Sequence, residues 1–260
     1  MSMNRIFTLR LGTIVLFLAI WELVGRSGLV QGEVLPPASE VFAQLISVLG
    51  SDYLAGDIRA SLYEIGVGFV VGSMLGLSFG AVMGVNNYLY KLFEPLIYYM
   101  GAVPKIILFP ILILFLSTGL QSKAGMAAIT AFFPIVINTA LAVREVKPIH
   151  VRAARSLGAN RTQLYTKVYV PSILGPVLSG MRLGLGVAIT GALLAETAVA
   201  QEGLGFRAIE LYSQLRIAEM YGLLLLIFIV ASLLNVGIGW VIRRTTHYQQ
   251  QEASGTTSVT

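Results

Sequence analysis

The sequence contains no cysteine and only two histidines, His150 and His247, in 260 residues. The lack of cysteine excludes disulfide bonds, thiolate metal sites and cysteine nucleophiles. Two histidines this far apart in the chain are too few for a histidine-based metal site. We therefore expect no metal or cofactor on this chain. Charged residues are scarce as well: they make up 12%, about half the share that is usual in soluble domains.

Motifs that mark enzymes are also missing. The chain has no G-x-x-x-x-G-K-[ST] nucleotide-binding loop, no H-E-x-x-H zinc motif and no G-x-S-x-G nucleophile motif. On one helix, Arg182 and Glu196 would lie about 21 Å apart at about 1.5 Å per residue, so they cannot form a pair. No catalytic set is found, and the chain is not expected to be an enzyme. The isolated charges of its apolar segments are Glu22, Glu94, Lys105, Arg182 and Glu196.

Apolar residues dominate instead, at 56% of the chain with a mean hydropathy of +0.78. This composition predicts an all-α polytopic membrane protein, because about 20 apolar residues cross a bilayer as a helix. No polar segment is long enough to form a soluble domain, so 1–260 is expected to be one transmembrane domain with a disordered polar tail at 249–260. The six predicted spans cover about residues 6–26, 61–85, 92–116, 124–143, 172–199 and 221–242.

Glycine recurs at every fourth position of the second span. Residues four apart lie on one helix face, so these glycines form a smooth groove that a neighbouring helix can approach closely. Packing within the chain is the preferred interpretation, and a homodimer seam is the alternative. The glycines are Gly68, Gly72, Gly76, Gly80 and Gly84.

The third span is interrupted by proline and carries a lysine beside Pro104. Proline removes a backbone hydrogen bond, and the freed carbonyl groups are tolerated in a membrane only against protein or a water-filled cavity. Lys105 is therefore either a pathway residue or an internally paired lysine. Asn138 is expected to bond a neighbouring helix rather than a substrate, and Glu22 is expected at the membrane interface. The pathway candidates are Pro104, Lys105, Asn138, Arg182 and Glu196.

The segment 144–171 holds the excess of positive charge. Its first part carries six cationic side chains and one acidic side chain, an excess of +5 that equals the net charge of the chain. By the positive-inside rule this segment faces the cytoplasm, and basic residues near both termini place them on the same side. The loop 201–221 has an acidic excess, which suits the outside. The six cations are Arg144, Lys147, Arg152, Arg155, Arg161 and Lys167.

The same segment has signals for two short helices with a break between them. Pro148 suits the first turn of a helix, Gly158 can end that helix, and Asn160 can cap the next one. The pattern Arg152-Ala153-Ala154, then Gly158, Val168 and Val170-Pro171, resembles the EAA loop of permease subunits of bacterial binding-protein-dependent ABC importers. Further stretches are similar to the nitrate, sulfonate and taurine subgroup of that family: P-P-A-S-E-V-F at 36–42, F-F-P-I-V-I-N-T at 132–139, G-M-R-L-G-L-G at 180–186 and A-E-T-A-V-A-Q-E-G-L-G-F at 195–206.

This resemblance covers about residues 35–242 and implies a type I ABC importer permease with six transmembrane helices and a cytoplasmic coupling helix. It implies import of a small solute, with a nitrate-, sulfonate- or taurine-like anion as the expected class. A thiamine-precursor-like heterocycle is the alternative within the family. An ion-gradient-driven secondary transporter is a further alternative that the docking pattern disfavours.

The resemblance also implies partners and a location. The permease would sit in the bacterial inner membrane with a separate ATPase subunit, a second permease chain, expected to be a copy of itself, and an external solute-binding protein. Nucleic acid is not expected as a partner. Arg152 departs from the family pattern, which usually has glutamate there. The residues expected to dock the ATPase are Pro148, Arg152, Ala153, Ala154, Leu157, Gly158 and Pro171.

Overall fold

The computed structural model describes residues 3–28 and 34–255, and within these ranges the chain forms helices without strands. Five helical segments are long and apolar enough to cross a membrane, and a bent helix pair supplies the sixth span. The predicted all-α architecture is confirmed. The helices are α1 Met3–Arg26, α2 Ala38–Leu49, α3 Leu54–Val85, α4 Asn87–Ala102, α5 Phe109–Leu116, α6 Leu120–Arg144, α7 Pro148–Ser156, α8 Arg161–Leu164, α9 Val170–Val199, α10 Leu204–Ser213 and α11 Ile217–Gly255; a 3-10 turn covers Lys105–Leu108 and a π turn covers Tyr165–Tyr169.

Helix α6 is the centre of the bundle, with α3 on one side. The predicted glycine groove of α3 faces α6: a Cβ built on Gly68 would lie 2.4 Å from the Ala124 carbonyl oxygen, and one on Gly80 would lie 2.7 Å from the Val136 carbonyl oxygen. Between two helices in lipid, close backbone approach of this kind provides dispersion contacts. The glycines therefore allow α3 to pack against α6 within the chain, which is the interpretation that the sequence favoured over a homodimer seam.

Helix α9 packs on the other side of α6 and uses the same device. Cβ atoms on Gly180, Gly184 and Gly191 would lie within 2.4–2.7 Å of side chains of α6. Ile135 of α6 is fully buried and contacts both helices, lying against Gly76 of α3 and Gly184 of α9. The three helices form a rigid core because each interface leaves no room for an added methyl group.

The predicted third span, 92–116, is not one continuous helix. Helices α4 and α5 meet at an angle of 95°. Val103, which precedes Pro104, is extended with ψ 136°, as expected for a residue before proline. Helix α4 also begins earlier than predicted, at Asn87, because the Asn86 side chain accepts hydrogen bonds from the N–H groups of Tyr88 (2.9 Å) and Leu89 (3.3 Å).

Two polar segments contain more helix than predicted. The loop at 201–221, predicted to lie outside, includes α10, which begins after Gly203. In the predicted tail, the backbone of α11 continues through 249–255, since Gln, Glu and Ala have adequate helix propensity and extending an existing helix needs no new nucleus. Residues 256–260 lie outside the described part.

Glu22, which was predicted to lie at the membrane interface, bonds to the start of α2. Its Oε2 accepts a hydrogen bond from the Ser39 N–H at 2.9 Å, so that Glu22 caps the start of α2. The Trp21 indole N–H donates to the Pro36 carbonyl at 3.1 Å. Helix α2 then packs on α11, where Gly222 allows the backbone of Gln44 and Leu45 to approach. Helix α2 thus links α1 to the bundle.

Candidate functional site

The first candidate site is α7, at the end of the bundle where α6 stops and α9 starts. Pro148 stands in the first turn of α7, and Gly158 ends the helix with φ +78°, a backbone conformation that favours glycine. The next helix begins with a capping box: Asn160 Oδ1 accepts from the Gln163 N–H at 2.8 Å, and Gln163 Oε1 accepts from the Asn160 N–H at 2.9 Å. The helix, break and helix predicted from the sequence are all found.

Helix α7 contains no buried residue. Ile149 and Leu157 are 59% and 88% exposed, and Arg152 and Ala153 are exposed as well. Ile149, Ala153 and Leu157 are four residues apart and therefore share one face of the helix. In the described part of the chain, the Arg152 guanidinium pairs with no acidic side chain. The face combines exposed apolar groups with unpaired positive charge.

A continuous helical path leads from this face into the bundle. Leu164 of α8 is buried, the π turn follows, and Pro171 stands in the first turn of α9. Proline has no N–H to donate to the preceding turn, and the π turn lies directly before it. The path 161–199 has 39 residues. At about 1.5 Å per residue it is about 58 Å long, which is enough to run from α7 to the opposite end.

The second candidate site is a cavity of 580 Å³ between the α4–α5 break, α6 and α9. Pro104 and Lys105 line it at the break, together with Phe133 and Thr130 of α6 and Thr190 of α9. The Lys105 ammonium donates to the carbonyl oxygens of Gly101 and Val103 (3.0 Å to Val103) and lies 5.1 Å from the centre of the Phe133 ring. The lysine therefore neutralises the carbonyl end of α4 and places a positive charge at the cavity wall.

The other three pathway candidates lie elsewhere. Asn138 does not bond a neighbouring helix as expected: its side chain donates to the Pro134 carbonyl of its own helix at 2.8 Å and packs on Gly180. Arg182 donates to Asn235 of α11 at 2.8 Å. Glu196 is fully buried near α10. The structure thus brings Pro104 and Lys105 together and leaves Asn138, Arg182 and Glu196 outside this cavity.

Glu196 belongs to a set of polar residues that we call the buried polar cluster. Its carboxylate accepts from the Ser61 hydroxyl and from the Gly205 N–H, both at 2.6 Å, and so holds the start of α10. The Gly203 N–H donates to Asp57 and the Leu204 N–H to Ser61, each at 2.9 Å. The amide group of Gly203, which precedes α10, and those of the first two residues of α10 are therefore each bound by a side chain of α3 or α9. The members of the cluster are Asp57, Ser61, Glu64, Lys123, Glu196 and Arg207.

Two ion pairs complete the cluster. Lys123 of α6 lies 3.0 Å from Glu64 of α3, and their side chains are 3% and 0% exposed. Arg207 of α10 lies 2.8 Å from Asp57 and stacks 4.3 Å from the centre of the Tyr53 ring. Burial lowers the pKa of Arg207, but the hydrogen bond and charge of Asp57 and the charge of Glu210 outweigh it, and the net shift is upward.

Sequence reasoning missed Glu64 and Lys123 and treated Glu196 as isolated. Glu64 lies in the first turn of the predicted second span, 61–85, and Lys123 lies between the predicted third and fourth spans, so both were taken as residues at the ends of spans. One signal in the sequence pointed to the cluster. Shortly after Glu196, two glycines, Gly203 and Gly205, stand on either side of Leu204. Both glycines are required, since Cβ atoms there would lie 2.6 Å and 2.9 Å from Glu196.

A family model described as "Binding-protein-dependent transport system inner membrane component" matches residues 68–245. Among curated relatives, the taurine transport system permease protein TauC of Escherichia coli K12 is 29% identical over 249 residues, 94% of this chain and 90% of the relative. The nitrate import permease protein NrtB of Synechocystis is 26% identical over 231 residues, 85% of this chain and 83% of the relative.

Among solved structures, the chain is similar to a subunit of the MetNI methionine ABC transporter in an inward-facing conformation. The TM-score is 0.64 at 22% identity, and the match covers 77% of this chain and 97% of that subunit. At this identity the likeness concerns the fold. The two chains therefore share the arrangement of their helices as well as the all-helical architecture.

Proposed function

Because the chain belongs to the family of binding-protein-dependent transport system inner membrane components, the permease subunits of ABC importers, we propose that it imports a small taurine-, sulfonate- or nitrate-like anion. A separate ATPase supplies the energy, and an external binding protein delivers the solute. The observation that carries the proposal is the exposed face of α7, set at one end of a helical path that passes the cavity. The relatives TauC and NrtB, which carry taurine and nitrate in their names, support the anion class.

The face of α7 is suited to an ATPase subunit. Exposed apolar side chains on a short helix outside the apolar spans are covered most favourably by a partner, and Leu157 is almost fully exposed. Since Arg152 replaces the usual glutamate and has no acidic partner among the described residues, we expect the cleft of the ATPase to offer it an acidic group. The Ala153 and Ala154 positions leave room for close approach.

The cavity is suited to an anion on its way through the membrane. An anion that leaves water needs a positive charge or hydrogen-bond donors, and Lys105 supplies the charge at the wall. Thr130 and Thr190 line the same space, although the Thr130 hydroxyl donates to carbonyl groups of its own helix. A cationic heterocycle would meet the lysine as a like charge. This disfavours a cationic substrate within the thiamine-precursor alternative.

The assembly and its orientation follow from the same proposal. The α7 end faces the cytoplasm, because it holds the positive charge, and both termini lie on that side. The α10 end then faces the external binding protein. We further propose a second copy of the same chain as the other permease, which would give two α7 helices for two ATPase subunits.

The test of docking is a pair of matched variants. Leu157→Asp puts a charge on the apolar face of α7, and Thr162→Asp puts the same charge on exposed α8 as a control. Neither site is buried, so both variants should insert and fold, with stability changes within about 0.5 kcal/mol. We expect Leu157→Asp, and also deletion of 153–158, to abolish ATP-driven uptake in proteoliposomes and recovery of the ATPase with the permease. Uptake retained by either would sink the docking proposal.

The test of the substrate uses the binding protein. Its affinity for taurine, alkanesulfonates, nitrate and pyrimidines should rank the anions first. Lys105→Gln should then reduce anion uptake while Lys105→Arg retains it, because both replacements keep a donor for the α4 carbonyls and only arginine keeps the charge. Tight binding of a pyrimidine alone would shift the assignment to the heterocycle. Uptake driven by an ion gradient without the ATPase would favour the secondary transporter.

A further inference from the structure

The buried polar cluster contains two carboxyl groups that face each other in the absence of solvent. Glu64 of α3 and Glu196 of α9 are both 0% exposed, and Ser61, which shares a face of α3 with Glu64, donates to the Glu196 carboxylate at 2.6 Å and so brings the two carboxyl groups together. Lys123 of α6, 2% exposed, is the cation beside them. The three groups come from the three helices of the rigid core, so none can move to water without opening that core.

The two carboxyl groups differ in the donors they receive. Glu196 accepts a hydrogen bond at each oxygen, from Ser61 and from the Gly205 N–H, which is the pattern of an ionised carboxylate. Neither oxygen of Glu64 accepts a hydrogen bond among the described residues, and its contact with Lys123 is an ion-pair distance without hydrogen-bond geometry. A buried carboxylate whose only neighbouring donor is one ammonium group is costly. Glu64 is therefore the carboxyl group with an unmet requirement.

The charges around the pair do not balance if both glutamates are ionised. Lys123 compensates one of them. Of the groups on the neighbouring elements, Asp57 of α3 is paired with Arg207 of α10, and Arg207 also contacts Glu210. The described residues thus offer no further cation, and one negative charge would remain in a medium of low dielectric constant. Such a charge costs several kcal/mol even after relaxation.

We propose that Glu64 and Glu196 form a proton-binding site, in which Glu64 retains a proton and donates it as an O–H hydrogen bond to Glu196. The proton removes the excess charge, because one carboxylate and one ammonium remain. It also supplies the missing donor between two acceptors. A cavity of 620 Å³, lined by Thr118, Lys123, Ala200 and Glu202, lies on the Lys123 side of the pair.

The site has a consequence for α10. Glu196 holds the N–H of Gly205, and Ser61 links Glu196 to the N–H of Leu204. Loss of the proton would place two negative carboxylates in contact beneath these bonds and weaken the attachment of α10. The proton is thus part of what fixes α10 to α3 and α9.

Infrared spectroscopy of the purified full-length permease tests the proton directly. We expect a protonated-carboxyl absorption at neutral pH that shifts in D2O, is absent from Glu64→Gln and is unchanged in Glu94→Gln, a glutamate exposed on α4. A wild-type protein without this absorption overturns the proposal, whether or not the variants fold. The same holds if the absorption survives in Glu64→Gln.

Thermal unfolding gives a second, independent readout. Unfolding exposes Glu64, which then releases its proton at any pH above about 4.3. The free energy of unfolding of the wild type therefore falls as the pH rises. Glu64→Gln has no proton to release at this position and does not share this loss. The unfolding constant of the wild type should rise about tenfold per pH unit relative to Glu64→Gln until Glu64 ionises in the folded state. Glu196→Gln should be less stable at every pH, since an amide keeps one acceptor only. If Glu64→Gln lowers the Tm at neutral pH as much as Glu196→Gln does, Glu64 is ionised and the proposal is wrong.

Discussion

Replacing Gly68 by alanine should destabilise the bundle, whereas the same replacement at Gly66 should not. Both glycines lie in α3, two residues apart, on different faces. A Cβ at position 68 would meet the Ala124 carbonyl oxygen at 2.4 Å, the Ala127 Cβ at 2.5 Å and the Ala128 nitrogen at 3.0 Å. A Cβ at position 66 would meet nothing within 4 Å. The pair separates packing against α6 from the change in helix propensity.

The expected difference can be worked from these contacts. At position 68 two of the three nearest atoms are backbone atoms of α6, so a rotamer change cannot relieve the clash and the helices must separate. Overpacking of this kind costs about 1–3 kcal/mol. Alanine in a helix interior gains about 0.5–1 kcal/mol over glycine, and this gain applies at both positions. Measured against wild type, Gly66→Ala should therefore be neutral or stabilising, and the two variants should differ by about 1–3 kcal/mol.

Thermal unfolding of the two purified variants in one detergent measures this difference. A gap of this size corresponds to roughly 3–10 °C in Tm for a chain of this length. The control variant keeps residue type, helix and expression conditions the same. Equal Tm values for Gly68→Ala and Gly66→Ala would refute the argument that the glycine groove holds α3 against α6.

Three further outcomes are expected. Gly203→Ala and Gly158→Ala both place alanine at a positive φ, but only position 203 also meets the buried glutamate of α9, so Gly203→Ala should lower the Tm further. Asn160→Ala removes the capping box and should cost about 1 kcal/mol of local helix stability, which hydrogen exchange of the amides of α8 measures. Asp57→Asn removes an ion pair with partly buried Arg207 and should cost about 1–3 kcal/mol in chemical unfolding. Because the pKa of Arg207 is raised, this cost should persist to alkaline pH.

The parts of the fold that could be predicted are those encoded by local spacing. A glycine at every fourth position identifies a helix face whatever that face contacts, and the structure confirms the groove and its use within the chain. The short helices after α6 were predictable because Pro148, Gly158 and Asn160 each act on their own turn of backbone. Pro104 likewise predicted a break in the third span. The 95° angle of that break could not be predicted, because it depends on packing against α6 and α9.

The buried polar cluster could not be predicted because its members lie on four helices. Glu64 and Lys123 are separated by 59 positions in the sequence, and periodicity on one helix says nothing about a partner on another. The distance between Arg182 and Glu196 correctly excluded a pair within one helix. It gave no information about partners of Glu196 on α3 and α6. For Asn138, by contrast, a partner on a neighbouring helix was predicted and the prediction is wrong. A polar side chain inside a span can bond the carbonyl group one turn earlier, here that of Pro134, and needs no neighbouring helix.

The placement of these features along one helical path argues for how the parts work together. The path 161–199 begins beside α7, forms part of the cavity wall through Val187, Thr190 and Leu194, and ends at Glu196 in the buried polar cluster. Under the proposed docking, a displacement of α7 would therefore reach the cavity and the start of α10 through one element. Glycine contacts with α6 pack this element closely along its middle, so we expect such a motion to be a tilt shared with α6 and α3. The irregular π turn and Pro171 lie where such a tilt would begin, between the exposed face and the packed core.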